Sequence, residues 1–151
     1  MPSASTGNEQ QGDEMSMTDF NQQVITEFRE NDGKVGGMFD GMPILLLHHI
    51  GAKSGADRIS PLVYLPDGDR FVIFASKAGA PSHPSWFHNL MARPETEIEV
   101  GGETVAVVAA EVTGDDRERL FQRQVELQPQ FGDYQSKTTR KIPVVALTPV
   151  A

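Results

Sequence analysis

The sequence contains no cysteine, so disulfides, thiolate metal sites, iron–sulfur clusters and a cysteine nucleophile are excluded. It also lacks an apolar run of the roughly 20 residues that a membrane span needs. The longest such run, residues 42–50, is interrupted by His48 and His49. Because the N-terminus lacks the basic and apolar regions of a secretory signal, we expect a cytoplasmic protein.

Basic residues are scarce: 13 Lys and Arg stand against 21 Asp and Glu, a net charge of -8. A nucleic-acid-binding protein needs a basic face, so that class is disfavoured, although a few local cations can still hold an anionic ligand. The length of 151 residues suits one domain. Residues 1–17 are polar and acidic, which predicts a flexible tail before a single domain at 18–151.

Apolar periodicity and turn residues predict an α+β fold on a mostly antiparallel, barrel-like sheet. Pro61 indicates an edge strand or a bulge, and the turn at 66–69 predicts a hairpin between the strands on either side. Without βαβ alternation or a G-x-G-x-x-G motif, a Rossmann nicotinamide site is disfavoured. The pattern gives about six strands, at 43–50, 57–65, 70–75, 95–100, 104–112 and 142–147, and three helices, at 18–32, 85–92 and 115–128, with a loop at 129–140.

Two glycine-containing loops are candidate anion sites. Gly51–Gly55 can point several backbone N–H groups one way, and Lys53 and Arg58 add positive charge. The loop after the third predicted strand adds Ser76 and Lys77. Each loop alone is equally well explained as a solvated turn, but two converging loops favour a phosphate site.

Aromatic residues mark two further candidates. The only tryptophan, Trp86, lies in the first turn of a short predicted helix that follows Pro84. Free N–H groups at that helix start attract anions, and the indole can pack beside a planar ring; burial in the core is the alternative. Tyr134 can donate a proton or simply pack over the barrel mouth. His48 and His49 should face opposite sides of a strand, and we do not expect them to bind metal.

These pieces, in this order, resemble the deazaflavin (coenzyme F-420)-dependent nitroreductases and quinone reductases of actinobacteria, over residues 36–149. The motifs that carry the resemblance are G-A-K-S-G-(x)2-R-(x)2-P-L at 51–62, S-K-A-G at 76–79, P-S-W-F-H-N-L at 84–90, D-Y-Q-S at 133–136 and I-P-V-V at 142–145. The family resemblance implies a split β-barrel, similar to that of flavin-binding pyridoxamine-phosphate-oxidase-like proteins.

The resemblance also implies a coenzyme groove, in which Lys53, Arg58 and Lys77 hold the phosphate and acidic tail. The expected cofactor-binding residues are Ala52, Lys53, Ser54, Arg58, Ile59, Ser60, Pro61, Leu62, Val63, Phe74, Ala75, Ser76, Lys77, Ser85, Trp86, Phe87, His88, Asn89 and Tyr134. The implied reaction is hydride transfer from the reduced deazaflavin to a quinone, with Ser76 and Tyr134 as the catalytic residues that stabilise the oxygen gaining charge.

One departure from the family pattern concerns the substrate. Phe131 stands where nitroimidazole-reducing relatives carry tyrosine, which argues against bulky nitroaromatic substrates but not against coenzyme binding. In such relatives the N-terminal segment helps to reach a membrane quinone; here that segment is acidic, which argues against tight attachment to anionic lipid. Three alternatives remain: an FMN-dependent oxidoreductase of the same fold, a non-catalytic coenzyme carrier, and a small interaction module.

Overall fold

The computed structural model describes residues 21–36 and 41–150, so the predicted tail at 1–17 and the predicted helix start at 18–20 lie outside the described residues. Within this part, seven strands form one sheet: β1 (Ile44–Ile50), β2 (Asp57–Val63), β3 (Leu65–Asp67), β4 (Arg70–Phe74), β5 (Glu95–Val100), β6 (Glu103–Val112) and β7 (Val144–Pro149). The helices are α1 (21–30), α2 (Ser85–Ala92), α3 (Gly114–Leu127) and α4 (Gln130–Ser136), with a 3-10 turn at Lys77–Gly79.

The strand order is β2-β1-β5-β6-β7-β4-β3, and every neighbouring pair is antiparallel. The predicted α+β class with an antiparallel sheet is confirmed. β2 lies at one end of this order, as Pro61 predicted, because proline cannot donate a hydrogen bond to a second neighbour.

The sheet has one strand more than the predicted number of about six, since the segment predicted as one strand at 57–65 divides at Tyr64. The Tyr64 N–H donates to the Pro43 carbonyl oxygen at 3.0 Å. The chain then changes partner: β2 pairs with β1, and only β3 pairs with β4. The predicted hairpin therefore exists, but its first strand is β3 rather than the whole predicted segment.

The predicted loop at 129–140 is also wrong, because α4 occupies much of it and raises the number of helices from three to four. The three-residue spacing of Phe131 and Tyr134 suits one helical face. Phe131 is buried and packs edge-on against Phe74, with ring centroids 5.8 Å apart. Tertiary packing thus stabilises a helix too short to form alone.

The core is divided between the two faces of the sheet. On one face of β1, Leu45 and Leu47 pack with Trp86 and Leu90 of α2. On the other, Ile44 and Leu46 pack beneath α1. All four β1 residues are at most 4% exposed. The same alternation sends His48 and His49 to opposite faces, as predicted, so that only His49 joins the face covered by α2.

Candidate active site

Two neighbouring hollows lie beside the β2 edge of the sheet. The first, of about 330 Å³, is lined by Asn21, Ser60, Pro61, Leu62, Val63, Phe74, Ser76, Lys77, Pro84, Trp86, Phe131 and Tyr134. The second, of about 460 Å³, is lined by Gly51, Ala52, Lys53, Ser54, Arg58, Ser85, His88 and Asn89. Residues of β2 and of the start of α2 line both, so the hollows lie side by side along these two elements.

The first hollow shows how far the sheet curls. It is lined by β2, the first strand in the order, and by Phe74 of β4, the sixth. These strands share no hydrogen-bonded ladder, yet they meet across one cavity. The cavity therefore occupies a gap between two parts of a nearly closed sheet.

All but three of the predicted coenzyme-binding residues line one hollow or the other. The exceptions are Ile59, Ala75 and Phe87, which lie in the apolar core instead. Ile59 faces the α1 side of β2, opposite Arg58 and Ser60, because strand side chains alternate. Ala75 is fully buried and Phe87 packs beneath α2.

Four lining residues were not on the predicted list: Asn21, Gly51, Pro84 and Phe131. Gly51 and Pro84 lie within motifs that carry the family resemblance, and Phe131 is the residue that departs from the family pattern. Asn21 belongs to α1, and nothing in its local pattern distinguishes it from a solvent-facing helix residue. Only the packing of α1 against the sheet brings it to the cavity.

The lining of the two hollows carries positive charge and no acid. Lys53 and Arg58 border the second hollow and Lys77 the first, with neither Asp nor Glu in either lining. Within the described residues, these three cations take part in none of the ion pairs. The acids pair elsewhere: Asp67 bonds Arg70 and Arg119, whose hydrogen bonds lower the pKa of its carboxyl group.

Three of the five backbone N–H groups of the turn at 51–55 already donate to acceptors of the protein. Gly51 and Gly55 donate to the carbonyl oxygens of Ala56 and Gly51, at 2.9 and 2.8 Å. Ala52 donates to Asn89 Oδ1 at 2.9 Å. Among the described residues, nothing accepts a hydrogen bond from the backbone N–H of Lys53 or Ser54. These two N–H groups can therefore bind an anion, which is fewer than the several that the sequence predicted.

Gly51 packs closely against two neighbouring side chains. A Cβ there would lie 2.6 Å from Ser54 Oγ and 3.3 Å from Arg58 Nε. A side chain at this position would therefore require Ser54 to adopt another rotamer. Glycine therefore lets the turn approach the guanidinium group of Arg58 closely. Lys53 of this turn and Arg58 line the same hollow.

Three polar side chains form a hydrogen-bonded line between the hollows. Asn89 Nδ2 lies 2.9 Å from His49 Nδ1, and His49 Nε2 lies 2.9 Å from Ser60 Oγ. Burial is the main cause that lowers the pKa of His49 to about 4, and the nearby positive charge of Arg58 and the neighbouring His48 contribute to the same shift. His49 is therefore neutral at physiological pH. Nothing in the local sequence around His49 indicates a role in the site.

Arg140 fixes the loop that carries Ser76 and Lys77. Its guanidinium donates to the carbonyl oxygens of Ala75, Ser76 and Ala80, at 3.0, 2.7 and 2.9 Å. Lys77 has a φ of 46°, in the left-handed region that a non-glycine residue adopts at a cost. The arginine bonds hold the backbone around this strained residue.

The same loop packs closely against α4. A Cβ on Gly79 would lie 2.7 Å from the Tyr134 carbonyl oxygen. Tyr134 and Phe131 meet edge-on, with ring centroids 5.2 Å apart, and both line the first hollow. Trp86 was predicted either to pack beside a planar ligand or to be buried in the core. It is 6% exposed within the core and also borders this hollow, so the two possibilities are compatible.

None of the helices in the described ranges 21–36 and 41–150 has the length and apolar character required to cross a bilayer.

Comparison with known proteins agrees with this architecture. The family model for F420H(2)-dependent quinone reductase matches residues 21–149. An F420H(2)-dependent quinone reductase of Mycobacterium tuberculosis is 43% identical over 125 residues, which cover 80% of this chain and 84% of the relative. A solved structure of an F420-H2-dependent reductase is 38% identical with a TM-score of 0.64, covering 70% of this chain and 93% of that one.

A more distant structure shows the fold alone. A putative pyridoxamine 5'-phosphate oxidase from Listeria innocua is 10% identical, with a TM-score of 0.54 over 72% of this chain and 85% of its own. The split-barrel fold expected from the sequence is thereby confirmed.

Proposed function

The chain belongs to the F420H(2)-dependent quinone reductase family, and from that premise we propose that its two hollows together bind coenzyme F420 and a quinone. The protein is an F420H2-dependent oxidoreductase whose substrate is a quinone.

The observation that carries the assignment is the charge of the lining. Three cations and no acid border the hollows of a chain whose net charge is -8. Coenzyme F420 has a phosphate and an acidic tail, which suit the guanidinium and ammonium groups of Arg58 and Lys53. Backbone N–H groups of the adjacent turn add donors of the same polarity. The donor set therefore fits the anionic part of the coenzyme.

The first hollow suits the planar part of the coenzyme. Its lining combines the apolar surfaces of Leu62, Trp86 and Phe131 with the hydroxyl groups of Ser76 and Tyr134. Aromatic and apolar walls exclude water and orient a flat ring. The bound coenzyme supplies the hydride, and the protein supplies position and donors.

Ser76 and Tyr134 are the proposed donors to the substrate oxygen that gains charge during reduction. Both line the first hollow, and the Ser76 carbonyl group is held by Arg140 at 2.7 Å. A hydroxyl group that is already positioned stabilises developing charge without reorganising. This assignment makes the protein an enzyme rather than a coenzyme carrier.

Phe131 provides the proposed preference among substrates. It lines the first hollow without a hydroxyl group, so it can contact an apolar quinone ring but cannot donate to a nitro group. We therefore expect quinones to be reduced faster than bulky nitroaromatic compounds. Phe131→Tyr should reduce the difference between the two reduction rates. Measuring the rates of the parent and the variant with one quinone and one nitroimidazole would test this.

The binding experiment is a titration that follows the fluorescence of Trp86, with oxidised F420 and separately with FMN. Lys53→Ala and Arg58→Ala should each weaken F420 binding about tenfold to a hundredfold, the range for charge-assisted hydrogen bonds. Arg123→Ala, an exposed cation of α3 outside both linings, is the matched control. Unchanged affinity in the Lys53/Arg58 double variant would exclude the phosphate assignment, and preference for FMN would indicate a flavin enzyme.

The catalytic assignment needs turnover under coenzyme saturation. Ser76→Ala and Tyr134→Phe should lower kcat for quinone reduction tenfold or more and change coenzyme affinity much less. If both variants keep full turnover, neither hydroxyl group stabilises the substrate oxygen. Binding without any turnover in the parent protein would instead support a carrier.

A further inference from the structure

The buried line Asn89–His49–Ser60 has a direction that the backbone determines. The Ala52 N–H can only donate, and it lies 2.9 Å from Asn89 Oδ1. The amide nitrogen of Asn89 must then face His49 Nδ1, and it donates there at 2.9 Å. His49 Nδ1 consequently accepts, so the proton of the neutral ring lies on Nε2.

This tautomer determines how Ser60 bonds. His49 Nε2–H donates to Ser60 Oγ at 2.9 Å, so the serine oxygen is an acceptor toward the histidine. A hydroxyl group has one proton of its own, which must point elsewhere. Ser60 lines the first hollow, and this is where its proton is available to a ligand.

We propose that His49 is a positioning residue that presents the Ser60 hydroxyl group as a hydrogen-bond donor to an acceptor atom of the bound coenzyme. The proposal rests on the proposed function, because it takes the first hollow as a coenzyme site. Without His49, the serine could rotate and offer either its proton or its lone pairs. With it, the donor is oriented before the ligand arrives, which lowers the cost of binding.

Burial makes this arrangement persistent. His49 and Asn89 are each 5% exposed, and breaking one bond would leave a buried polar group unsatisfied. Protonating His49 would place an N–H opposite the Asn89 amide donor. The neighbouring charges of Arg58 and His48 oppose that protonation. At neutral pH the line therefore has one direction.

The first test is nuclear magnetic resonance of the free protein labelled with ¹⁵N-histidine. The expected spectrum at pH 7 assigns a protonated Nε2 and an unprotonated Nδ1 to His49, a signal that disappears in His49→Gln. Observation of the Nδ1–H tautomer, or of rapid exchange between the two, would overturn the proposal. This measurement needs no coenzyme and no turnover.

The second test is a double-mutant cycle on F420 affinity. Ser60→Ala and His49→Phe should each weaken binding about threefold to tenfold, the range for one neutral hydrogen bond, and the double variant should be no weaker than either. His49→Gln keeps an Nε2 donor within reach of Ser60 and should restore most of the affinity. Independent, multiplying effects would show that His49 does not act through Ser60.

Lys53→Ala serves as the control for this cycle, because Lys53 borders the other hollow. Combined with Ser60→Ala, its effect should multiply. If the parent protein binds no F420 at all, both the proposed function and this inference fail. If it binds F420 but Ser60→Ala has full affinity, only this inference fails.

Discussion

His49 ties the stability of the protein to pH. Its pKa is lowered to about 4 in the folded state, from an ordinary value of 6.5. The unfolded state therefore binds more protons between these values, so stability is complete above pH 6.5 and is lost as pH falls toward 4. The expected loss is about 3 kcal/mol by pH 4.

Urea unfolding at pH 7.5, 5.5 and 4.5 would measure this loss. His83 also has a lowered pKa through burial and the nearby Arg140 and His88, and it contributes in the acidic range as well. The difference between the parent and His49→Gln therefore isolates His49. Parallel curves for the two proteins would contradict the assignment.

Lys77 combines a cation for the ligand with a strained backbone. Lys77→Ala should weaken coenzyme binding and leave the strain at φ 46° in place. Lys77→Gly removes the same cation and the strain, so it should be about 1 kcal/mol more stable than Lys77→Ala. Thermal unfolding compares the stabilities, and F420 titration should find both variants similarly weakened. Equal stability would show that the surrounding loop relaxes.

At the scale of elements, Arg140 links the segment after α4 to the loop after β4. Arg140→Lys should lose the fork that reaches three carbonyl oxygens, since an ammonium group is a point donor. We expect faster hydrogen exchange at residues 76–80 and at least tenfold weaker coenzyme binding. Arg123→Lys on the exposed face of α3 is the control. Unchanged exchange in Arg140→Lys would show that packing against α4 suffices to hold the loop.

The sequence predicted most elements because their signals were local. Alternation identified the strand at 95–100, and Pro84 marked the start of α2. α4 was missed because Pro129 and Gly132 read as loop residues, and its stability comes from the contact of Phe131 with Phe74, distant in sequence. β3 was missed because only Tyr64 separates it from β2 in the chain, and the change of partner from β1 to β4 leaves no local signal.

The part of the candidate site that lies in local motifs could be predicted from the sequence. The part that depends on contacts between distant residues could not. Cations and glycines cluster in motifs, so Lys53, Arg58 and Lys77 could be named from sequence. The role of His49 depends on a bond to Asn89, 40 residues away, and that of Arg140 on bonds to residues about 60 positions earlier. No local pattern encodes such contacts.

At the scale of the whole molecule, the charge of the two hollows is opposite in sign to the net charge of the chain. The hollows carry cations, whereas the chain has a net charge of -8. Salt screens both, over about 10 Å at 0.1 M. Raising the salt from 0.05 to 0.5 M should therefore increase the dissociation rate of F420 and leave the association rate unchanged or higher.

Stopped-flow fluorescence of Trp86 would separate these two rates. Lys53→Ala/Arg58→Ala should reduce the salt dependence of dissociation, while Arg123→Ala should not. An association rate that falls steeply with salt would mean that the cations attract the coenzyme over a long range in spite of the net charge.

The gap between β2 and β4 affects how easily the sheet opens in the free protein. The two strands face each other across the first hollow without sharing a ladder, so no strand pairing holds them together across this gap in the free protein. A ligand bound in the first hollow would contact both β2 and β4 and hold the two strands together. Occupancy of the site should therefore slow amide exchange in both strands together, making one cooperative unit of two strands that are first and sixth in the order of the sheet.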